Sequence, residues 1–139
     1  IFMKRNNCIF INDSKATSFQ STKFALKNSK NIFWILGGMP KKNDKIILRG
    51  LKKNILRSYI IGKNTNFFKK QIKGQIKFYE TRTIRKSILK ILKDIRTLKK
   101  QNNTILLSPS SASYDQYLNF EKRGEEFKKL SRIYARKFI

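Results

Sequence analysis

Apolar and polar positions change rhythm repeatedly along this chain, and each change marks an element. Ile1–Lys4 and Cys8–Ile11 are apolar runs separated by Arg5-Asn6-Asn7. Asparagine tolerates the left-handed backbone of tight turns, so the spacing predicts a hairpin. Ser18–Asn28 places Phe19, Thr22 or Lys23, and Leu26 on one helical face. Ile32–Leu36 is a continuous apolar run ended by Gly37-Gly38, as expected of a strand covered on both sides. The alternation continues with a predicted helix at Ile46–Ile55, a strand at Ser58–Gly62, a short helix at Asn64–Lys73 and a strand at Gln75–Tyr79. Thr83–Lys100 carries Ile84, Ile88, Ile91, Leu92, Ile95 and Leu98 on one stripe, with cations opposite. Thr104–Leu107 reads as another buried strand and Ser108-Pro109 as a turn. Tyr114–Phe138 reads as a terminal helix with a break at Gly124.

Strands alternating with helices predict an α/β fold. The expected architecture is a mostly parallel, Rossmann-like sheet with helices on both faces and an antiparallel N-terminal edge hairpin. The pattern contains no internal repeat and no linker, so residues 1–139 are expected to form one domain. Ile1-Phe2-Met3 already reads as the middle of a strand, the pattern of a fragment whose upstream part lies elsewhere.

Composition narrows the chemistry. The 139 residues include one cysteine and no histidine, which rules out zinc sites built from Cys and His and any Ser-His or Cys-His pair within the chain. Cys8, inside an apolar run, is expected in the core. The longest apolar stretch, Ile32 to Met39, is too short to span a bilayer, and no secretory signal pattern opens the chain. The expectation is a cytoplasmic protein without membrane association. The net charge of +25 raises nucleic-acid binding. Here, however, Lys and Arg are spread over nearly every predicted helix and turn, and Phe33, Trp34, Phe120 and Phe127 fall within apolar patterns rather than between cations. A general attraction for anions follows, and no specific nucleic-acid partner is expected. A basic nucleic-acid-binding module stays as the alternative.

Two strings stand where an apolar strand gives way to a helix. One is Asn12-Asp13-Ser14-Lys15-Ala16-Thr17-Ser18. The other is Leu107-Ser108-Pro109-Ser110-Ser111-Ala112-Ser113-Tyr114-Asp115-Gln116. Both offer hydroxyls, a turn and a helix N-terminus at one sheet edge, where open α/β sheets bind anions. Lys15 and Lys41 come from separate strand ends of that edge, so their charges could converge on one ligand; in so basic a chain, each could equally be a solvated surface charge. Asp13 suits a sugar diol at a strand end, or a cap or turn. Ser113 is expected to open the last helix, with its hydroxyl and the backbone N–H groups of Ser113 and Tyr114 facing a carboxylate, or acting simply as a cap. Asn119 is expected to be structural.

Three blocks carry a resemblance: Ile11–Thr17 with Ser21-Thr22, Ile35–Lys41, and Leu106–Pro109 continuing through Ala112–Gln116 to Asn119–Phe127. In this order they resemble the C-terminal domain of the Mur ligases, and Asp-Ser-Lys-Ala-Thr in the first block favours the D-glutamate-adding branch. Ser110-Ser111 departs from the more usual Ala-Cys after Ser-Pro, and Met39-Pro40 alters the loop that presents Lys41. The resemblance implies an ATP-dependent ligase that joins D-glutamate to UDP-N-acetylmuramoyl-L-alanine through an acyl phosphate, in peptidoglycan precursor synthesis. It also implies a monomeric three-domain parent, in a bacterial cytoplasm, whose other domains hold the UDP-sugar, the ATP phosphates and Mg2+. Nothing here matches the phosphate-binding Gly-x-x-x-x-Gly-Lys-Ser/Thr loop, so no catalytic residue and no metal ligand is expected in this chain, and alone it should be inactive. By resemblance, Lys41 and Thr17 bind D-glutamate carboxylates, and Lys15 reaches the side-chain carboxylate or a nucleotide phosphate. Asp13 lies near the ribose hydroxyls, and Phe120 forms an apolar wall, a position its spacing equally allows in the core. A sister Mur or folylpolyglutamate-type ligase is the further alternative.

Overall fold

The Asn6-Asn7 turn forms as its composition requires, with Asn6 at φ +52°. It joins β1 (Met3–Arg5) to β2 (Cys8–Asn12) in antiparallel register, Met3 opposite Phe10 and Arg5 opposite Cys8. A computed structural model of the chain describes residues 1–139. After β2 come α1 (Phe19–Lys27), β3 (Ile32–Gly37), β4 (Ile55–Ile61), α2 (Thr65–Ile72), β5 (Phe78–Arg82), α3 (Ile84–Leu98), β6 (Asn103–Leu107) and α4 (Phe120–Phe138). The sheet order is β1-β2-β6-β3-β4-β5, parallel throughout except for the β1 edge. The predicted α/β class, the parallel sheet and the antiparallel edge are all present.

Alternation along the central strands divides the core in two. Phe33 and Ile35 of β3, with Ile105 and Leu107 of β6, pack beneath α3 and α4. Ile32, Trp34 and Leu36, with Leu106, pack beneath α1 and α2. All six residues of β3 are buried, as its unbroken apolar run predicts. The α3 stripe is buried from Ile84 to Ile95, and Cys8 lies in the core.

Three expected elements differ. Residues 46–55 are not a helix. Ile46, Leu48 and Leu51 are buried in an extended, turn-rich passage with Gly50 at φ +77°, followed by a 3-10 turn at Lys52–Asn54. The passage is held by side-chain amides: Gln71 Oε1 accepts from the Ile46 N–H (3.1 Å) and Gln75 Oε1 from the Leu48 N–H (3.3 Å). Those two glutamines supply the acceptors that a helix ladder would otherwise provide. The fifth strand starts at Phe78 rather than Gln75, because residues 73–76 turn out of α2 through Gly74 at φ +84°. The last helix begins at Phe120, not Tyr114, and runs through Gly124 without a break. Asn119 is its cap, its side chain accepting from the Lys122 N–H at 2.8 Å. No helix is long and apolar enough to cross a membrane.

Candidate functional site

Neighbouring strands β2, β6 and β3 send their outgoing chain to opposite faces. After β2 the chain enters α1 on one face, and after β3 it enters the buried passage through Ile46 and Leu48 on that same face. After β6 it leads to α4 on the other. Loops that diverge from adjacent parallel strands open a crevice at the carboxyl edge. The strings at residues 13–18 and 108–119 both lie there, because Asn12 pairs with Leu107 at the ends of their strands.

The first string is short. Ser18 caps α1, its hydroxyl accepting from the Ser21 N–H, and Asp44 Oδ2 accepts from the Phe19 N–H (3.0 Å). Asp13 and Lys15 line a cleft of about 560 Å3, together with Asn12, Phe24 and Asn28. Lys15 also borders a second hollow against Phe120, Glu121 and Gly124. The Asp13 carboxylate accepts from the Ser108 hydroxyl at 2.7 Å. Burial raises its pKa, while that hydrogen bond and the Lys15 charge work in the opposite direction.

The second string takes a long path. The Gly37 N–H donates to Pro109 O, and Met39 and Ala112 exchange backbone hydrogen bonds of 2.8 and 3.1 Å. Gly38 permits this pairing: at φ +135°, a Cβ there would stand 2.3 Å from Ala112 O. Farther on, Asp115 Oδ2 accepts from the Lys63 N–H (3.1 Å) and the Gln116 amide donates to Arg82 O (2.9 Å). The loop thus crosses the ends of β3, β4 and β5 before α4 returns to β2. Crossing three strand spacings of about 4.8 Å each requires chain, which is why α4 starts late.

Arg123 ties the two strings together. It is 1% exposed. Its Nε donates to Ser14 Oγ, its Nη2 to Ser14 O and its Nη1 to Ser111 O, at 2.7–2.9 Å. Ser14 Oγ in turn donates to Phe120 O at 2.7 Å. Burial pulls the Arg123 pKa down to about 10, against the opposing pull of Asp115 and Tyr117. The neighbouring Gly124 lets α4 approach: a Cβ there would lie 2.8 Å from the Asn12 amide and 3.2 Å from Ser14 Cβ. Arg123 and Gly124 sit inside the third sequence block, yet charge and composition gave them no role. The available signal was an arginine on the apolar side of a helix, one turn after Asn119.

The expected site residues separate by position. Asp13, Lys15 and Thr17 lie together on the first loop, with Lys15 exposed and Thr17 half-buried. Lys41 is exposed and borders a different hollow, beside Ser18, Gln20 and Asp44, rather than the Lys15 cleft. Ser113 is buried, and its carbonyl accepts from the Gln116 and Tyr117 N–H groups. It opens a turn, so there is no helix N-terminus at Ser113 and Tyr114 to face a carboxylate. Tyr114 is 70% exposed. Phe120 is 38% exposed in the first turn of α4, whereas Phe33, Trp34 and Phe127 are fully buried, so Phe120 is a surface residue of this edge and not core. Together with Met39, Tyr114 and Leu118 it gives the edge an exposed apolar rim.

The chain is similar to three curated enzymes named UDP-N-acetylmuramoylalanine–D-glutamate ligase. It is 35% identical over 127 residues to that of Bradyrhizobium diazoefficiens. Identity is 37% over 124 residues to that of Bartonella henselae and 36% over 124 residues to that of the Wolbachia of Brugia malayi. These alignments cover 91%, 89% and 89% of this chain and 27%, 27% and 25% of those enzymes. The chain therefore spans about a quarter of the length of the curated relatives it matches. No family model matches it.

Proposed function

We propose that this chain, which belongs to the Mur ligase family as a counterpart of its C-terminal domain, closes the substrate site of a longer D-glutamate-adding ligase. In this reading, the parent phosphorylates the carboxylate of UDP-N-acetylmuramoyl-L-alanine with ATP. The amine of D-glutamate attacks the acyl phosphate, and phosphate leaves as the amide forms. The work of this chain is positioning and charge. Lys41 and Thr17 take carboxylates of D-glutamate, Lys15 takes its side-chain carboxylate or a nucleotide phosphate, and Asp13 accepts from the ribose hydroxyls. Phe120 and Tyr114 on the apolar rim exclude water from the bound amino acid. Lys15 and Lys41 border separate hollows, which suits a dianion reached by two cations from different loops better than a single pocket. Asp13 is the one carboxylate of the cleft, so Mg2+ and the ATP phosphates are assigned to other parts of the parent.

The observation that carries this reading is the joining of the three strand-end loops at one carboxyl edge, with Asp13 and Lys15 facing a shared cleft. The test is ATP-dependent phosphate release by the full-length parent with UDP-N-acetylmuramoyl-L-alanine and D-glutamate, L-glutamate or L-lysine. Release that depends on D-glutamate is expected; equal release with all three amino acids, or none, overturns the assignment.

A further inference from the structure

Thr22 lies on the buried side of α1 and is fully enclosed. Its hydroxyl oxygen is 2.9 Å from Ser108 Oγ and 2.9 Å from Ser110 Oγ, and Ser108 Oγ is 2.7 Å from Asp13 Oδ2. Ser108 and Ser110 are buried as well. A hydroxyl has one proton to give and an ionised carboxylate has none, so the order of donation is fixed. Ser108 donates to Asp13, Thr22 donates to Ser108, and Ser110 donates to Thr22. The competing acceptor for Thr22, the Ser108 carbonyl, stands off at 3.5 Å and already receives the Trp34 indole N–H at 2.7 Å. Ser110 holds its place at φ +64°, a left-handed backbone that a serine adopts only where its surroundings require it.

We propose that the Ser110–Thr22–Ser108 hydroxyl chain positions Asp13, fixing Oδ2 so that Oδ1, which has no protein donor, accepts from the hydroxyls of a nucleotide sugar. The sugar rests on the function proposed above; the hydroxyl chain does not. A buried series of hydroxyls running in one direction polarises each member, so its effect reaches the carboxylate from three residues away. None of the three hydroxyls needs to touch ligand. They are positioning residues, and their hydrogen bonds supply the partners of the Thr22 hydroxyl on the buried face of α1.

The experiment follows the Asp13 carboxylate by 13C NMR titration in the full-length protein, with Asp13→Asn identifying the signal. Lys15 is the charged neighbour acting on Asp13 and is unchanged in every variant. Thr22→Val, which keeps the shape and deletes the hydroxyl, is expected to raise the Asp13 pKa by roughly half a unit. Ser110→Ala should raise it less, and Thr22→Ser should restore it. If Thr22→Val does not fold, Ser110→Ala carries the test from the end of the chain. An Asp13 titration unmoved by the variants that fold overturns the proposal. In the same parent, Thr22→Val is expected to raise KM for ATP about three- to tenfold while leaving kcat and KM for D-glutamate in place, because only a bound ligand's contact has been loosened. A shifted titration with unchanged KM for ATP would keep the hydroxyl chain and overturn the sugar as its ligand.

Discussion

The loops after β2 and β6 look like twins in sequence, since both follow a buried strand with a run of hydroxyl residues. In space they do opposite things. Residues 13–18 lead directly to the cap of α1 and leave Lys15 exposed beside a cleft. Residues 108–119 cross the ends of β3, β4 and β5, with Ser108, Ser110, Ser111 and Ser113 all buried. Ser108 and Ser110 bond to Asp13 and Thr22, and the Ser111 hydroxyl donates to Pro109 O. One loop presents groups outward and the other uses its groups to hold the first in place. A cluster of serines at a strand end therefore says little about ligand binding until their exposure is known.

Breaking the link between the loops should have the largest consequence. Arg123→Met keeps much of the apolar stem but removes the donors to Ser14 Oγ, Ser14 O and Ser111 O. Buried acceptors left without donors cost about 1–3 kcal/mol each, and partial relaxation brings the expected loss to about 3 kcal/mol in urea unfolding. Arg123→Lys should recover only part of this, because an ammonium cannot span both loops with a planar fork. A loss below about 1 kcal/mol for Arg123→Met would mean that the loops are held by something else.

A smaller effect separates the two candidate starts of the last helix. Asn119→Ala removes the side-chain acceptor of the Lys122 N–H and should cost about 1 kcal/mol. Ser113→Ala removes a hydroxyl that caps nothing and should cost less. The reverse order in thermal or urea unfolding would place the helix start back at Ser113.

These two positions also show how far the sequence could be read. Strand β3, the α3 stripe and the Asn6-Asn7 hairpin follow from local periodicity and turn chemistry, and all three form. The start of α4 does not, because residues 114–119 contain nothing that forbids helix; they are drawn out by Asp115 and Gln116 reaching to Lys63 and Arg82. The passage at 46–55 fails in the same way, since its apolar spacing is compatible with a helix and its real partners are the side chains of Gln71 and Gln75. At the site, Asp13, Lys15 and Thr17 could be singled out from their order along a strand-to-helix turn. Arg123 could not, because in a chain with 33 cations a buried one carries no mark until its three acceptors are seen.

The smallest expected effect concerns what the outward-facing loop costs the fold. Asp13 is half-buried, and partial desolvation raises its pKa above the unfolded value. Between the unfolded and the raised native value, the folded state binds more protons than the unfolded state, so stability declines as pH rises through that window and stays lower above it. Asp94, on α3 away from both loops, is the opposite case. Burial alone would raise its pKa, but the Tyr59 hydroxyl at 2.6 Å, Lys90 and Arg57 together lower it. Its contribution is complete above the unfolded pKa and is lost as pH falls through the lowered native value. Asp13→Asn should therefore improve relative to the unsubstituted protein as pH rises from about 3 to 7, while Asp94→Asn should worsen over the same range, with urea unfolding at each pH as the measurement. Parallel trends for the two would remove the distinction between a carboxylate kept for a ligand and one kept for the fold. Opposite trends would show that the first loop holds its acid against the preference of its own surroundings, which is the expected mark of a group placed there for something outside the chain.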